Sequence, residues 1–273
     1  MDLGLNKVHA LVTGASGGIG FAITKLFLEQ GALVTAHYNT EPRGLQDLKG
    51  KPEWQEKLCI AGADLSKEED VDLLFKKARS ELGDITVLIV SHGIWPENDA
   101  PVVDMELQQW QNTLAVNLTG PFLTTRAFLR QLREPSTRPA ILDKVAVILI
   151  GSTAGKFGEA GHIDYASSKS ALQIGFCLTL KNEIVKIAPR GRVNAIAPGW
   201  VSTPMAANAM QNPEIKYRAL ATTPLRKIGT PDDIAMQVAV LSSATVSGHV
   251  TGMCVMVEGG MEGRLLNKME DLA

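Results

Sequence analysis

The stretch "IDYASSKSA" (163–171) sets Tyr165 and Lys169 four residues apart among small side chains. On a helix, positions i and i+4 share a face, so the phenol and the ammonium point into the same space. A free tyrosine, with a pKa of about 10, holds its proton too tightly for efficient transfer at neutral pH. A nearby ammonium favours the phenolate and lowers that value. The pair alone also describes a surface tyrosine beside a solvated lysine. Ser152 in "LIGSTAG" shifts the balance, because it follows a run of β-forming residues and emerges at the carboxyl end of a sheet. Open α/β sheets bind their ligands at that end. A hydroxyl donor, a phenol and a charge that tunes it then meet at one place.

A second motif concerns binding. In "VTGASGGIG" (12–20), Gly14, Gly18 and Gly20 allow a sharp turn and close backbone approach to a pyrophosphate. The helix that follows offers free N–H groups and the positive end of its dipole. Tight turns also use glycine for purely structural reasons, but a strand before and a helix after favour the binding reading.

These residues need a scaffold. Short apolar runs at 9–13, 32–37, 58–63, 86–90, 145–150, 192–197 and 253–258 read as parallel strands covered on both faces. Helical patterns lie between them. Ile19, Ala22, Ile23, Leu26 and Phe27 share a face in 19–31, and Val71, Leu74, Phe75 and Ala78 form a second stripe. Ser66 and Glu69 predict a capping box at the start of that second helix, and Gly83 its end. Alternating strands and helices predict an α/β, Rossmann-like, doubly wound sheet of mostly seven parallel strands with helices on both faces. Without a linker or a repeat, residues 1–273 read as a single domain. Loops near 155–164 and 204–225 face the site, and 261–273 forms a polar tail.

Composition narrows the classes. Of the 273 residues, 45% are hydrophobic and 21% charged, as in a globular domain, and a net charge of −2 gives no pull towards nucleic acid or anionic lipid. Cys59, Cys177 and Cys254 form no CxxC pair, and the five histidines form no HxxxH cluster, so neither a disulfide framework nor a metal site is expected. The first residues show no basic region leading into a long apolar run, so no signal peptide is expected. No apolar run is long enough to span a bilayer. A cytoplasmic protein that engages neither membrane nor nucleic acid is the expectation.

The spacing TGxxxGIG at 13–20 resembles the short-chain dehydrogenase/reductase family, and the rest of the chain agrees in order from about 7 to 260. "ADL" (63–65) resembles the family's aspartate motif, which implies that Asp64 and the Leu65 backbone lie by an adenine. Asn117 in "VNLTG" resembles its helix asparagine, Ser152 its catalytic serine, and Tyr165 with Lys169 its YxxxK. "NAIAPGWVST" (194–203) is similar to the segment that closes on the nicotinamide, and "VEGG" (257–260) to the family's VDGG. The resemblance implies a catalytic set of Asn117, Ser152, Tyr165 and Lys169. It also implies cofactor contacts from Gly14, Ser16, Gly18, Ile19, Gly20, Tyr38, Asn39, Thr40, Asp64, Leu65, Ser91, Gly93, Tyr165, Lys169, Pro198, Gly199, Val201 and Thr203. One departure stands out: Val90-Ser91-His92-Gly93 replaces Asn-Asn-Ala-Gly, which removes the asparagine hydrogen bonds.

The implied activity is hydride transfer between a nicotinamide and a ketone or secondary alcohol. Ser152 would bond the substrate oxygen and Tyr165 exchange a proton with it. Lys169 would lower the tyrosine pKa and bond the nicotinamide ribose, and Asn117 would organise a water that returns protons to Lys169. No carboxylate stands at Tyr38, where NAD-specific relatives carry one. His37, Tyr38, Asn39 and Thr40 offer donors, and Arg43 adds charge, so NADP(H) is preferred over NAD(H). An epimerase or dehydratase with the same Tyr–Lys pair, and a non-catalytic cofactor-binding protein, are the competing readings. His92 reads as a packing residue, and His162 and Asp164 as exposed loop polarity; Trp95 and Trp200 fit either an apolar pocket or the core. A homotetramer or homodimer is implied, with 168–184 burying its second apolar face between subunits.

Overall fold

The computed structural model describes residues 2–137 and 139–261. The expected 262–273 portion of the tail lies outside them. Among the described residues, seven strands form one sheet: β1 (His9–Val12), β2 (Leu33–Tyr38), β3 (Leu58–Gly62), β4 (Val87–Val90), β5 (Ala146–Ile150), β6 (Arg192–Pro198) and β7 (Cys254–Val257). Their order is β3-β2-β1-β4-β5-β6-β7, and every neighbouring pair is parallel. The order reverses between β1 and β4, where Val12 pairs with Ile89. That reversal opens a crevice at the carboxyl ends of these two strands.

Alternation along the strands explains why both faces are covered. Ala10, Val12, Val87, Ile89, Ala146 and Ile148 face one core with Ile23 and Phe27 of helix Gly18–Glu29 and Ile234 and Val238 of helix Pro231–Ser242. Leu11, Leu88, Val90, Val147 and Leu149 face the other, with Phe75 of helix Glu68–Leu82 and Phe128 of helix Gly120–Leu132. Phe27 and Phe128 are wholly buried, one in each core. Each such side chain contributes about 1.5–3 kcal/mol relative to an exposed one, so the central strands are held from both sides.

Helix Glu68–Leu82 ends as expected, with Gly83 at φ +80° and its N–H on the Arg79 carbonyl. Its expected capping box does not form. Lys67 is the N-cap, and the Ser66 hydroxyl donates instead to Asp64 Oδ1 at 2.7 Å. Glu68, Glu69 and Asp70 in the first turn complement the dipole in its place. The 208–220 stretch is helical, as part of Pro204–Gln211 and Pro213–Ala221. No helix among the described residues is long and apolar enough to cross a membrane.

Candidate active site

The glycine-rich turn sits where β1 meets helix Gly18–Glu29. Gly14 adopts φ +64°, and a Cβ there would lie 2.8 Å from the His92 backbone. A Cβ on Gly20 would lie 2.2 Å from the Gly14 carbonyl. No side chain fits at either position. The N-cap, Gly17, provides no side-chain cap, and the first turn carries no acidic residue. Its N–H donors are therefore left for an anion. They face a groove that runs along the carboxyl ends of the strands past Ser16, Asn39, Asp64, Leu65, Ser91 and Gly93. Its length, its bare backbone donors and its lack of room for side chains fit a dinucleotide.

Two expectations at the end of β2 need correction. Tyr38 does not line this groove. Side chains alternate along a strand, so Asn39 faces the groove while the Tyr38 ring packs on Gly62, where a Cβ would lie 3.0 Å from Tyr38 Cζ. His37 is buried and has structural partners: Nδ1 accepts from Gly14 N at 3.1 Å, and Nε2 donates to the Ala63 carbonyl at 2.9 Å. Burial holds its pKa below the usual imidazole value. Thr40 and Arg43 also line the groove. At its far end the Ser66 hydroxyl lowers the Asp64 pKa, with Lys67 3.2 Å away.

Tyr165 and Lys169 lie on helix Ile163–Ser170, as the spacing implied. Lys169 is only 5% exposed, donates from Nζ to the Ile150 carbonyl at 2.9 Å, and lies 5.7 Å from the centre of the Tyr165 ring. Burial lowers its pKa to about 8. Ser152, just past β5, lines a cavity together with Tyr165 and Lys169. Pro198, Gly199 and Val201 line it too, while Ile19, Ser91, Gly93, Trp95, Thr203 and Met205 line both this cavity and the groove. The two spaces therefore adjoin along a shared wall.

Asn117 sits in a π-helical turn, Ala115–Thr119, inside a longer helix. Its Oδ1 accepts from Ile94 N at 2.8 Å, and Nδ2 donates to the Ile94 carbonyl at 2.9 Å and to Ser168 Oγ at 3.2 Å. The asparagine thus ties the strand-end loop to the helix that carries Lys169. A Cβ on Gly93 would crowd both groups, lying 3.1 Å from Asn117 Oδ1 and 3.3 Å from Lys169 Nζ.

The unusual Val90-Ser91-His92-Gly93 keeps its place through another residue. Thr13 Oγ1 accepts from Ser91 N at 2.9 Å and from His92 N at 3.3 Å, and meets His92 Nδ1 at 2.8 Å. Burial, then His37 and Lys169, lower the His92 pKa to about 3. His92 stays neutral and is a positioning residue. Asp164 and His162 are buried, contrary to the expectation of exposed loop polarity. Asp164 Oδ2 accepts from Thr113 Oγ1 at 2.7 Å and Gln109 Nε2 at 3.2 Å, so it fastens the tyrosine helix to helix Leu107–Leu114.

Gln173 escapes the sequence reading altogether. It lies in a second π-helical turn, Ala171–Phe176, and its Oε1 accepts from Ser152 N at 2.9 Å. The helix that presents Tyr165 thereby also holds the backbone of Ser152. Gln173→Met leaves that buried N–H unpaired, which costs about 1–3 kcal/mol. We expect turnover to fall about tenfold with cofactor affinity retained, because a small displacement of Ser152 weakens the transition state alone. Equal turnover in variant and wild type contradicts this role.

The model describing enoyl-(acyl carrier protein) reductases matches residues 14–262. The 3-oxoacyl-[acyl-carrier-protein] reductase FabG of Chlamydia muridarum is 34% identical over 260 residues, covering 94% of this chain and 98% of its own. The 3beta-hydroxysteroid dehydrogenase 1 of Eggerthella lenta is 32% identical, covering 92% of each chain. A crystal structure from Brucella melitensis, described as short-chain dehydrogenase/reductase SDR:Glucose/ribitol dehydrogenase, superposes with a TM-score of 0.82 at 29% identity, covering 96% of this chain and 99% of that one. With this fold, this site and these relatives, the chain belongs to the short-chain dehydrogenase/reductase family.

Proposed function

We propose that the protein is an NADP(H)-dependent oxidoreductase that interconverts a ketone and a secondary alcohol. The supporting observation is the wall that the dinucleotide-shaped groove shares with the cavity holding Ser152, Tyr165 and Lys169. When bound, the nicotinamide supplies or accepts the hydride. The Ser152 hydroxyl donates to the substrate oxygen, and Tyr165 gives that oxygen its phenolic proton during reduction or takes it back during oxidation. Lys169, held beside the tyrosine, favours the phenolate and so keeps the phenol acidic enough to exchange. Asn117 and Gln173 hold the loops that carry Gly93 and Ser152. Buried Asp164 supports the tyrosine from behind, its Oδ1 accepting from Tyr165 N at 2.8 Å.

The preference for NADP(H) rests on Asn39, Thr40 and Arg43, which line the groove beyond β2, and on the lack of a carboxylate at Tyr38, Asn39 and Thr40. Relatives bearing the FabG name act on 3-oxoacyl groups, which are ketones. Removing one charge-assisted contact to an exposed phosphate costs about 1.5 kcal/mol, roughly tenfold. Arg43→Ala should therefore raise the KM for NADPH about tenfold and leave NADH kinetics within about twofold. The check is to compare both cofactors in NAD(P)H consumption with a panel of ketones. A wild type that favours NADH, or an Arg43→Ala variant that loses both cofactors equally, contradicts the assignment. Pairing with a second copy of the chain belongs to the same reading: exposed Phe122, Ile174 and Leu178 lie on helices that cover one face of the sheet.

A further inference from the structure

Trp95 and Trp200 line the cavity that holds Ser152 and Tyr165. Their ring centres are 6.4 Å apart and their planes 78° from parallel, so they form an aromatic corner. Trp95 is held by its backbone neighbour and by two rings. Asn117 grips the preceding residue through both its N–H and its carbonyl. His162, itself buried, packs its ring edge-on against Trp95 at 4.6 Å. Beyond it, Ala100 N donates to the Gly161 carbonyl at 2.9 Å, and Asn208 Nδ2 meets Glu97 Oε1 at 3.3 Å. The loop is thereby pinned at both sides of the cavity mouth. A wall fixed before binding gives its contacts to a rigid ligand without an ordering cost.

Charge around the mouth selects in the same direction. Among the described residues, the cavity lining includes one carboxylate, Glu159, and no base apart from the buried Lys169. The pinned loop adds Glu97 and Asp99, the latter 82% exposed at its side chain. A ketone carried on a phosphorylated thioester arm leads that anionic arm out past these carboxylates, which disfavour it. An uncharged body that fills an apolar corner meets no such penalty.

We propose that the substrate is a compact, uncharged ketone with a ring system packed against Trp95 and Trp200, rather than an acyl chain on a phosphopantetheine arm. This rests on the reading that Tyr165 acts on a ketone. The experiment measures kcat/KM of the full-length protein with NADPH for 1-decalone, ethyl acetoacetate and acetoacetyl-CoA. Decalone should exceed acetoacetyl-CoA at least about tenfold, the difference expected when a ring loses or gains an aromatic partner. Trp95→Ala and Trp200→Ala should lower the decalone to ethyl acetoacetate ratio about tenfold or more, while Trp95→Phe should keep it within about threefold. Acetoacetyl-CoA ahead of decalone, or an unchanged ratio in both alanine variants, overturns the proposal while the ketone reductase reading stands. Reduction of none of the three, with NADPH binding seen by fluorescence, overturns that reading and the proposal with it.

Discussion

Tyr165→Phe should lower turnover at least about a hundredfold while cofactor affinity stays within a few-fold of wild type. The substitution keeps the ring, and with it the packing of helix Ile163–Ser170 against its neighbours. The Tyr165 N–H still reaches Asp164, and Ser168 Oγ still donates to the Tyr165 carbonyl at 2.7 Å. Only the proton donor is lost. Ser152 remains able to bond the substrate oxygen, so residual activity should persist through that hydroxyl and water. Because the dinucleotide groove is lined elsewhere, by Ser16, Asn39, Asp64 and Leu65, binding is spared. Near-normal turnover in Tyr165→Phe rejects the phenol as the acid.

Lys169→Met should damage activity without destabilising the fold. The ammonium is buried, and burial lowers its pKa from 10.5 to about 8. The unfolded chain therefore binds a proton more readily than the folded one between about pH 8 and 10.5, so wild-type stability rises with pH across that window. Below it, keeping the charged lysine folded costs on the order of 3 kcal/mol. Methionine removes that cost but leaves the Ile150 carbonyl without its donor, which takes back about 1–3 kcal/mol. A net change between about zero and a gain on the order of 2 kcal/mol at neutral pH is the expected balance. Denaturant unfolding of variant and wild type at neutral and alkaline pH measures it. Activity should move the other way: turnover falls, and the alkaline limb of the oxidation rate profile shifts upward as the tyrosine loses its neighbouring charge. A variant less stable than wild type at neutral pH, or an unmoved alkaline limb with activity retained, contradicts this account of Lys169.

Much of this was legible in the sequence because it is local. Nearly continuous apolar runs marked all seven strands, and their alternation with helical stripes implied the parallel sheet. The spacing of Tyr165 and Lys169 placed both on one helical face, and the glycines before helix Gly18–Glu29 marked the groove. What escaped depends on tertiary contact. Neither π-helical turn leaves a signature in residue type, yet one aims Asn117 and the other Gln173. Asp164 and His162 look like loop polarity until helix Leu107–Leu114 and Trp95 are packed against them. Counting along β2 reached Tyr38, but which side of the strand faces the groove depends on the pleat. Ser66 has the residue type of an N-cap; Asp64 competes for its hydroxyl and wins.

The most direct test of the central claim follows the hydride itself. NADPH carrying deuterium at the transferable position of the nicotinamide is mixed with the protein and a ketone, and the alcohol is analysed by mass spectrometry and NMR. The account predicts one deuterium on the carbinol carbon, formed by wild type and at least about a hundredfold more slowly by Tyr165→Phe. Unlabelled alcohol, or labelled alcohol formed equally fast by both proteins, contradicts it.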